Sequence, residues 1–192
     1  MSPRTAEQNS LIREQRKQDI LEAALQLFAH NGYTATKIEQ IAKKAGTSKG
    51  LVYNYFESKE DILLAIFNRM IEEAEGIWQF DSTASPKQQL IQILDATFMY
   101  MEEHGSLMKL ITQLALQPKV VTELHQMIEQ NQAAKLLVME PMLADMGYEN
   151  PKEEAFFLGA MLDGISLGAM VLKDDYPFEA IKKRIYKHYD LL

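Results

Sequence analysis

Residues 36–59 read TKIEQIAKKAGTSKGLVYNYFESK, and the fold follows from the punctuation of this stretch. Ile38, Ile41, Ala42 and Ala45 recur on one side at helical spacing. Ala45-Gly46-Thr47-Ser48 reads as a turn, with Gly46 free to take a positive φ. Val52 and Phe56 lie four apart and face one core, which leaves Lys49, Gly50, Tyr53 and Asn54 outward. Two short helices joined by a glycine-containing turn form the helix-turn-helix signature, whose second helix enters the DNA major groove. Many helical hairpins share this spacing, so the flanking chain has to agree with it.

It does so on both sides. A helix from about Leu11 to Asn31 carries Ile20, Ala24, Leu27 and Phe28 as a stripe, and Gly32 stops it. Residues 1–10 lack periodicity and read as a flexible arm. Thr36 with Glu39 reads as a capping box for the second helix, Ser48 or Thr47 caps the third, and Ser58 with Asp61 caps a fourth. The fourth helix, 59–78, connects head to body. A break at 81–86 precedes helices at 86–104 and on to about 116. Pro118 opens a helix of about 119–146, which Pro141 should kink or split. Asn150-Pro151 starts a helix to about Lys173 that is apolar all round and must be buried on several sides. Gly159, Gly164 and Gly168 in it permit close backbone approach. Pro177 starts a last helix to about Tyr189. The expectation is an all-α chain of about nine helices. Residues 1–57 form a three-helix head, and residues 58–192 form a helical body with 58–78 as connector.

Composition narrows the function. The 192 residues contain no Cys, which excludes disulfides, thiolate nucleophiles and cysteine metal sites. His30, His104, His125 and His188 form no metal-spaced pair, and no glycine-rich phosphate loop or nucleophile elbow is present. No catalysis, cofactor or metal is expected. The N-terminus lacks a signal-peptide pattern and no apolar run approaches a membrane span, so a cytoplasmic chain without a membrane partner is expected. The net charge of −7 divides unevenly: residues 1–50 hold eight basic and five acidic residues, and the remainder twelve and twenty-two. A basic head on an acidic body suits local phosphate attraction, which acts over about 10 Å at ordinary salt.

From Ile20 to Lys59 the chain resembles the TetR/AcrR family of bacterial transcriptional regulators. The likeness rests on LFAHNGY closing the first helix, then Thr36, Ile41-Ala42, Ala45-Gly46, Ser48, Gly50, Tyr53, Tyr55-Phe56 and Lys59. Beyond Trp78 it is architectural only. The resemblance implies a homodimer with DNA-binding heads and ligand-binding bodies, on a double-stranded operator. It places Thr36, Thr47, Ser48, Lys49, Gly50, Leu51, Tyr53, Asn54, Tyr55 and Lys59 at DNA. Thr36 both caps and meets phosphate, Lys49 reaches a phosphate or a guanine edge, and Gly50 allows backbone approach. Tyr55 either meets phosphate or packs on the head, and Lys59 touches the backbone. Asn54 departs from the histidine common there, and its amide suits adenine. The dimer seam is expected at Phe157, Met161, Gly164, Leu167, Gly168, Val171, Ile181 and Ile185.

Ten of the eleven methionines lie at or after Met70, and soft methionines suit a broad apolar ligand. Phe98, Met101, Met108, Gln113, Met127, Asn131 and Met161 are candidate pocket residues, with Trp78, Tyr100, Glu102 and Asp163 beside them. The acidic members extend the expected small-molecule effector from apolar to cationic, and Asp163 belongs to either the pocket or the seam. The function expected is repression relieved by that effector at a palindromic operator. The alternative is a helix-turn-helix dimer without a small-molecule effector, controlled by a protein partner.

Overall fold

A computed structural model of the chain describes residues 6–115 and 122–192. Among these residues all regular structure is helical: α1 (Ala6–Asn31), α2 (Ile38–Lys44), α3 (Lys49–Tyr53), α4 (Lys59–Ala74), α5 (Pro86–Glu103), α6 (Gly105–Ala115), α7 (Thr122–Asp145), α8 (Pro151–Leu172) and α9 (Phe178–His188). Single 3₁₀ turns follow α4 at Glu75–Trp78 and α8 at Lys173–Asp175. The expected start of α7 at Pro118 lies outside the described residues.

The local signals account for most boundaries. Ser48 Oγ accepts from Leu51 N at 3.1 Å, Ser58 Oγ from Asp61 N at 3.0 Å, and Ser85 and Gln88 form a capping box around Pro86. Gly32, Gly46 and Gly147 end their helices at φ of 84°, 64° and 92°. Two expectations are corrected. Helix α1 begins at Ala6, so residues 6–10 are helical rather than an arm; Ala6, Glu7 and Gln8 favour helix and nothing there breaks it. Pro141 does not split α7. It lies on the exposed side, as does Leu137 one turn earlier, the residue whose carbonyl a proline leaves without its helical partner.

Two apolar cores organise the chain. The first gathers Ile20, Phe28, Ile41, Val52 and Phe56 of the head and Ile62 and Phe67 of α4 with Leu107, Leu110 and Leu114 of α6 and Leu124 of α7. Head and connector therefore share one core with the near end of the body. The second joins Leu90, Ile93, Leu94 and Phe98 of α5 to α7, α8 and α9. Tyr186 Oη donates to Asp95 at 2.6 Å and Tyr189 Oη to Glu154 at 2.8 Å, which fixes α9 and its C-terminal turn.

Helix α8 corrects the expectation of burial on several sides. Only Leu158 and Ile165 are buried, and Phe156, Phe157, Leu167, Val171 and Leu172 are exposed. The expectation about membrane spans is also corrected. Pro151–Asp175 has a mean hydropathy of 1.8 and is long and apolar enough to cross a membrane, with 11% of its apolar window buried. Its inner face is nonetheless built into the second core.

Candidate nucleic-acid interface and effector body

The α2–α3 unit presents one outward face. Val52 and Phe56 are buried, whereas Ser48, Lys49, Gly50, Tyr53 and Asn54 are exposed, with Thr47, Leu51 and Tyr55 half-buried. Five helical residues suffice for this because α3 rests on the first core through Val52 while Ser48 fixes its first turn. Gly50 has open space around it: a Cβ there meets only Ser48 Oγ, at 4.0 Å. The Arg13 guanidinium stands 5.8 Å from the Tyr55 ring, which packs partly on the head.

Lys49 is already engaged. Its ammonium donates to the Glu39 carboxylate across the turn and lies 6.0 Å from the Tyr53 ring. That hydrogen bond, with the charge of Glu39, raises the Lys49 pKa and lowers that of Glu39. Both partners are about half exposed, so the contact is loose and exchangeable. Sequence reasoning missed Glu39 here, because residues ten apart meet only once the turn is built.

Two expected DNA residues turn inward. Thr36 is 1% exposed, and its hydroxyl donates to Gly32 O at 2.8 Å and Leu27 O at 3.3 Å. It does not cap α2. The N-cap is Lys37, whose backbone N donates to the Gln40 side chain at 2.8 Å. Lys59 Nζ donates to the carbonyls of Tyr33, Thr36 and Thr34 at 2.8, 2.9 and 3.2 Å, and sits 4.5 Å from the centre of the Tyr33 ring. An ammonium has three donors, and all three are used. Burial pushes the Lys59 pKa down. Together Thr36 and Lys59 hold the loop that aims α2 and α3.

The head is tied to the body by polar contacts. Arg69 of α4 donates to Gln18 of α1 at 2.9 Å and to Glu73 at 2.7 Å. Gln113 of α6 donates to Ala29 O at 3.2 Å, one of the last-turn carbonyls of α1 that has no helical partner.

The expected pocket residues do not form one wall. Phe98 is fully buried in the second core, edge-on to Phe178 at 5.7 Å, so it is packing rather than free lining. Met101 and Met161 also pack on the second core, whereas Met108 and Met127 pack on the first. Asn131 is half-buried. Glu102 and Asp163 are exposed, so the charge singled out within α8 is not a buried one. The Trp78 side chain lies outside the described residues.

The expected seam divides as well. Ile185 is buried within its own chain, and Met161 and Ile181 pack beside it, because the apolar face of α9 is used intramolecularly. Gly168 lies under the Tyr176 ring: a Cβ there falls 2.4 Å from Tyr176 Cε2. Phe157, Gly164, Leu167 and Val171 remain outward. With Ala160 they recur at spacings of three, four, three and four, a coiled-coil stripe with small residues at its centre.

The profile of the "Bacterial regulatory proteins, tetR family" matches residues 20–66. The chain is 28% identical over 181 residues to the HTH-type transcriptional activator FasR of Mycolicibacterium smegmatis, a match covering 89% of this chain and 78% of that protein. It is 31% identical over 130 residues to the fatty acid metabolism regulator protein of Bacillus subtilis, covering 66% and 65%. The solved structure of the fatty acid degradation regulator FadR from Bacillus halodurans superposes with a TM-score of 0.74 at 24% identity, over 91% of this chain and 94% of that one.

Proposed function

The chain belongs to the tetR family of bacterial regulatory proteins, as a non-enzymatic DNA-binding transcriptional regulator, and from that premise we propose that it is a cytoplasmic homodimeric repressor released from a palindromic operator by a small, largely apolar effector. The single observation that carries this reading is the outward face of α3. Ser48, Lys49, Gly50, Tyr53 and Asn54 stand exposed together on a rigidly capped helix. Lys49 and Tyr53 have the chemistry for phosphate or guanine, and Asn54 for adenine.

The stripe of Phe157, Ala160, Gly164, Leu167 and Val171 supplies the second half of the argument. An apolar coiled-coil stripe left outward on one chain fits the same stripe on a second copy, since a two-fold axis pairs a surface with itself. Two copies then set two recognition helices at half-sites about 34 Å apart. The boundary at residue 57 separates two roles. Residues 1–57 read DNA, and residues 58–192 sense and dimerise, with α4 as the lever.

Release follows from coupling. An effector that favours one packing of α5, α6 and α7 shifts α6, and Gln113 carries that shift to the end of α1. Arg69 and Lys59 carry movement of α4 to α1 and to the loop before α2. An apolar effector accords with relatives named for fatty acid metabolism and with the methionines that border both cores.

Operator selection with the purified protein tests the reading. A palindromic site with an adenine under Asn54 is expected, and Asn54→Ala should relax preference at that symmetric position. No enriched palindrome overturns the proposal. Control by a protein partner instead predicts that a compound library never raises the melting temperature.

A further inference from the structure

Helix α1 runs past the head it belongs to. Its first buried residue is Ile20, and every residue from Glu7 to Arg16 is exposed. At about 1.5 Å per residue that exposed stretch is roughly 15 Å long. It covers no core, so packing does not account for its length.

Side chains along it are sorted by helical phase. Arg13, Arg16 and Lys17 precede Ile20 by seven, four and three residues, and so continue the side of α1 that buries Ile20, Ala24 and Phe28. Glu7 and Glu14, seven apart, share another side. The face that is apolar where the head covers it turns cationic where α1 overshoots.

Arg13 fixes where that face stands. Its guanidinium is 5.8 Å from the centre of the Tyr55 ring, and Tyr55 follows Asn54, the C-cap of α3. Among the described residues no carboxylate pairs with Arg13, and Arg16 reaches Asp19 at 3.6 Å in a loose, exposed pair. A recognition helix reads base edges through its N-terminal residues, so its C-terminal end comes to the wall of the groove, where the phosphates are. The planar fork of an arginine fits a phosphate there.

Resting on the DNA-binding reading of the head, we infer that α1 is a second DNA-contacting element, in which Arg13, with Arg16 and Lys17 beside it, holds a backbone phosphate beyond the base pairs that α3 reads. The contact adds affinity and orients the head on the duplex, and it carries no base preference.

Fluorescence anisotropy of the full-length chain tests this on the palindrome from operator selection, with long flanks and with the flanks trimmed away. On the long duplex Arg13→Gln should weaken binding at least threefold. The slope of log affinity against log salt should become shallower by about one for each head bound. On the trimmed duplex variant and parent should bind alike. Arg13→Lys keeps the charge and should keep the slope. Arg184→Gln, which removes an exposed cation of α9, should change nothing and so excludes an effect of net charge. A melting curve checks that Arg13→Gln is folded, and Arg13→Ala serves if it is not. Unchanged affinity and slope, an equal loss on the trimmed duplex, an equal loss in Arg184→Gln, a slope lost in Arg13→Lys, or altered base preference in operator selection overturns the inference. A parent chain that binds its operator no better than Arg13→Gln does loses this inference alone, whereas a parent chain that binds no operator loses the regulator reading.

Discussion

The ammonium of Lys59 lies 2.8 Å from the carbonyl oxygen of Tyr33, 26 residues earlier in the chain, and 4.5 Å from the centre of that residue's ring. Two further carbonyls, of Thr34 and Thr36, complete its donors. The first turn of α4 therefore holds the loop that sets the angle of α2. Lys59→Met keeps the aliphatic stem and removes the donors. It should lower stability by about 2–3 kcal/mol in urea unfolding, the scale of charged hydrogen bonds lost from a partly buried site. Base preference in operator selection should not change, and an altered preference would place Lys59 at the bases instead.

Glu39 competes with DNA for Lys49. Replacing it by Gln removes the carboxylate that engages the Lys49 ammonium and adds no steric load. An exposed pair of this kind is weak, so operator affinity at low salt should rise by no more than about fivefold. The gain should shrink as salt is added. Fluorescence anisotropy with a labelled operator measures both, and equal affinity at low salt shows that Lys49 takes no part in binding.

Leu167 is 47% exposed on the single chain and sits in the apolar stripe of α8. Leu167→Glu should leave the melting curve of the isolated chain unaltered, because no core contact is lost. In a homodimer it places two carboxylates across the two-fold axis. Sedimentation should then show monomers, with operator affinity reduced at least tenfold. A variant that remains dimeric moves the seam elsewhere.

Among the described residues the buried Tyr100 hydroxyl has no hydrogen-bond partner, and the ring stacks on His104 at 4.1 Å. Tyr100→Phe removes the unsatisfied group, so stability at pH 7 should stay level or rise by about 1 kcal/mol. Burial, then the charge of Glu73, pushes the Tyr100 pKa from 10.0 up to about 12. The folded state thus disfavours ionisation. Its advantage is fully present below pH 10 and is lost as pH rises to about 12. Urea unfolding from pH 9 to 12 should show a shallower decline for the Phe variant than for the parent.

The head was legible because its signals are local. Gly46 needs its positive φ for the turn, Ser48 and Ser58 cap within their own segments, and Val52 with Phe56 must share a face. The outward identity of Lys49, Gly50, Tyr53 and Asn54 follows from that facing alone. Where the reading slipped, a residue had two local uses and tertiary contacts chose between them. Thr36 has the chemistry of an N-cap, but the end of α1 buries it against Gly32 and Leu27. The body was less legible, since an apolar residue on a helix does not say which neighbour covers it. Ile185 and Phe157 look alike in sequence. One is enclosed by α9's own core and the other is left outward.

By itself, the sequence determined most helix ends among the described residues, the helix-turn-helix head and the outward face of α3, because capping, turn chemistry and helical period act over a few residues. Only the tertiary structure decided the partners of Lys59, Lys49 and Gln113 and the division of the apolar side chains into two cores. Those depend on contacts between segments tens of residues apart, where the energy of a polar group is set by what the fold brings beside it rather than by its neighbours in the chain.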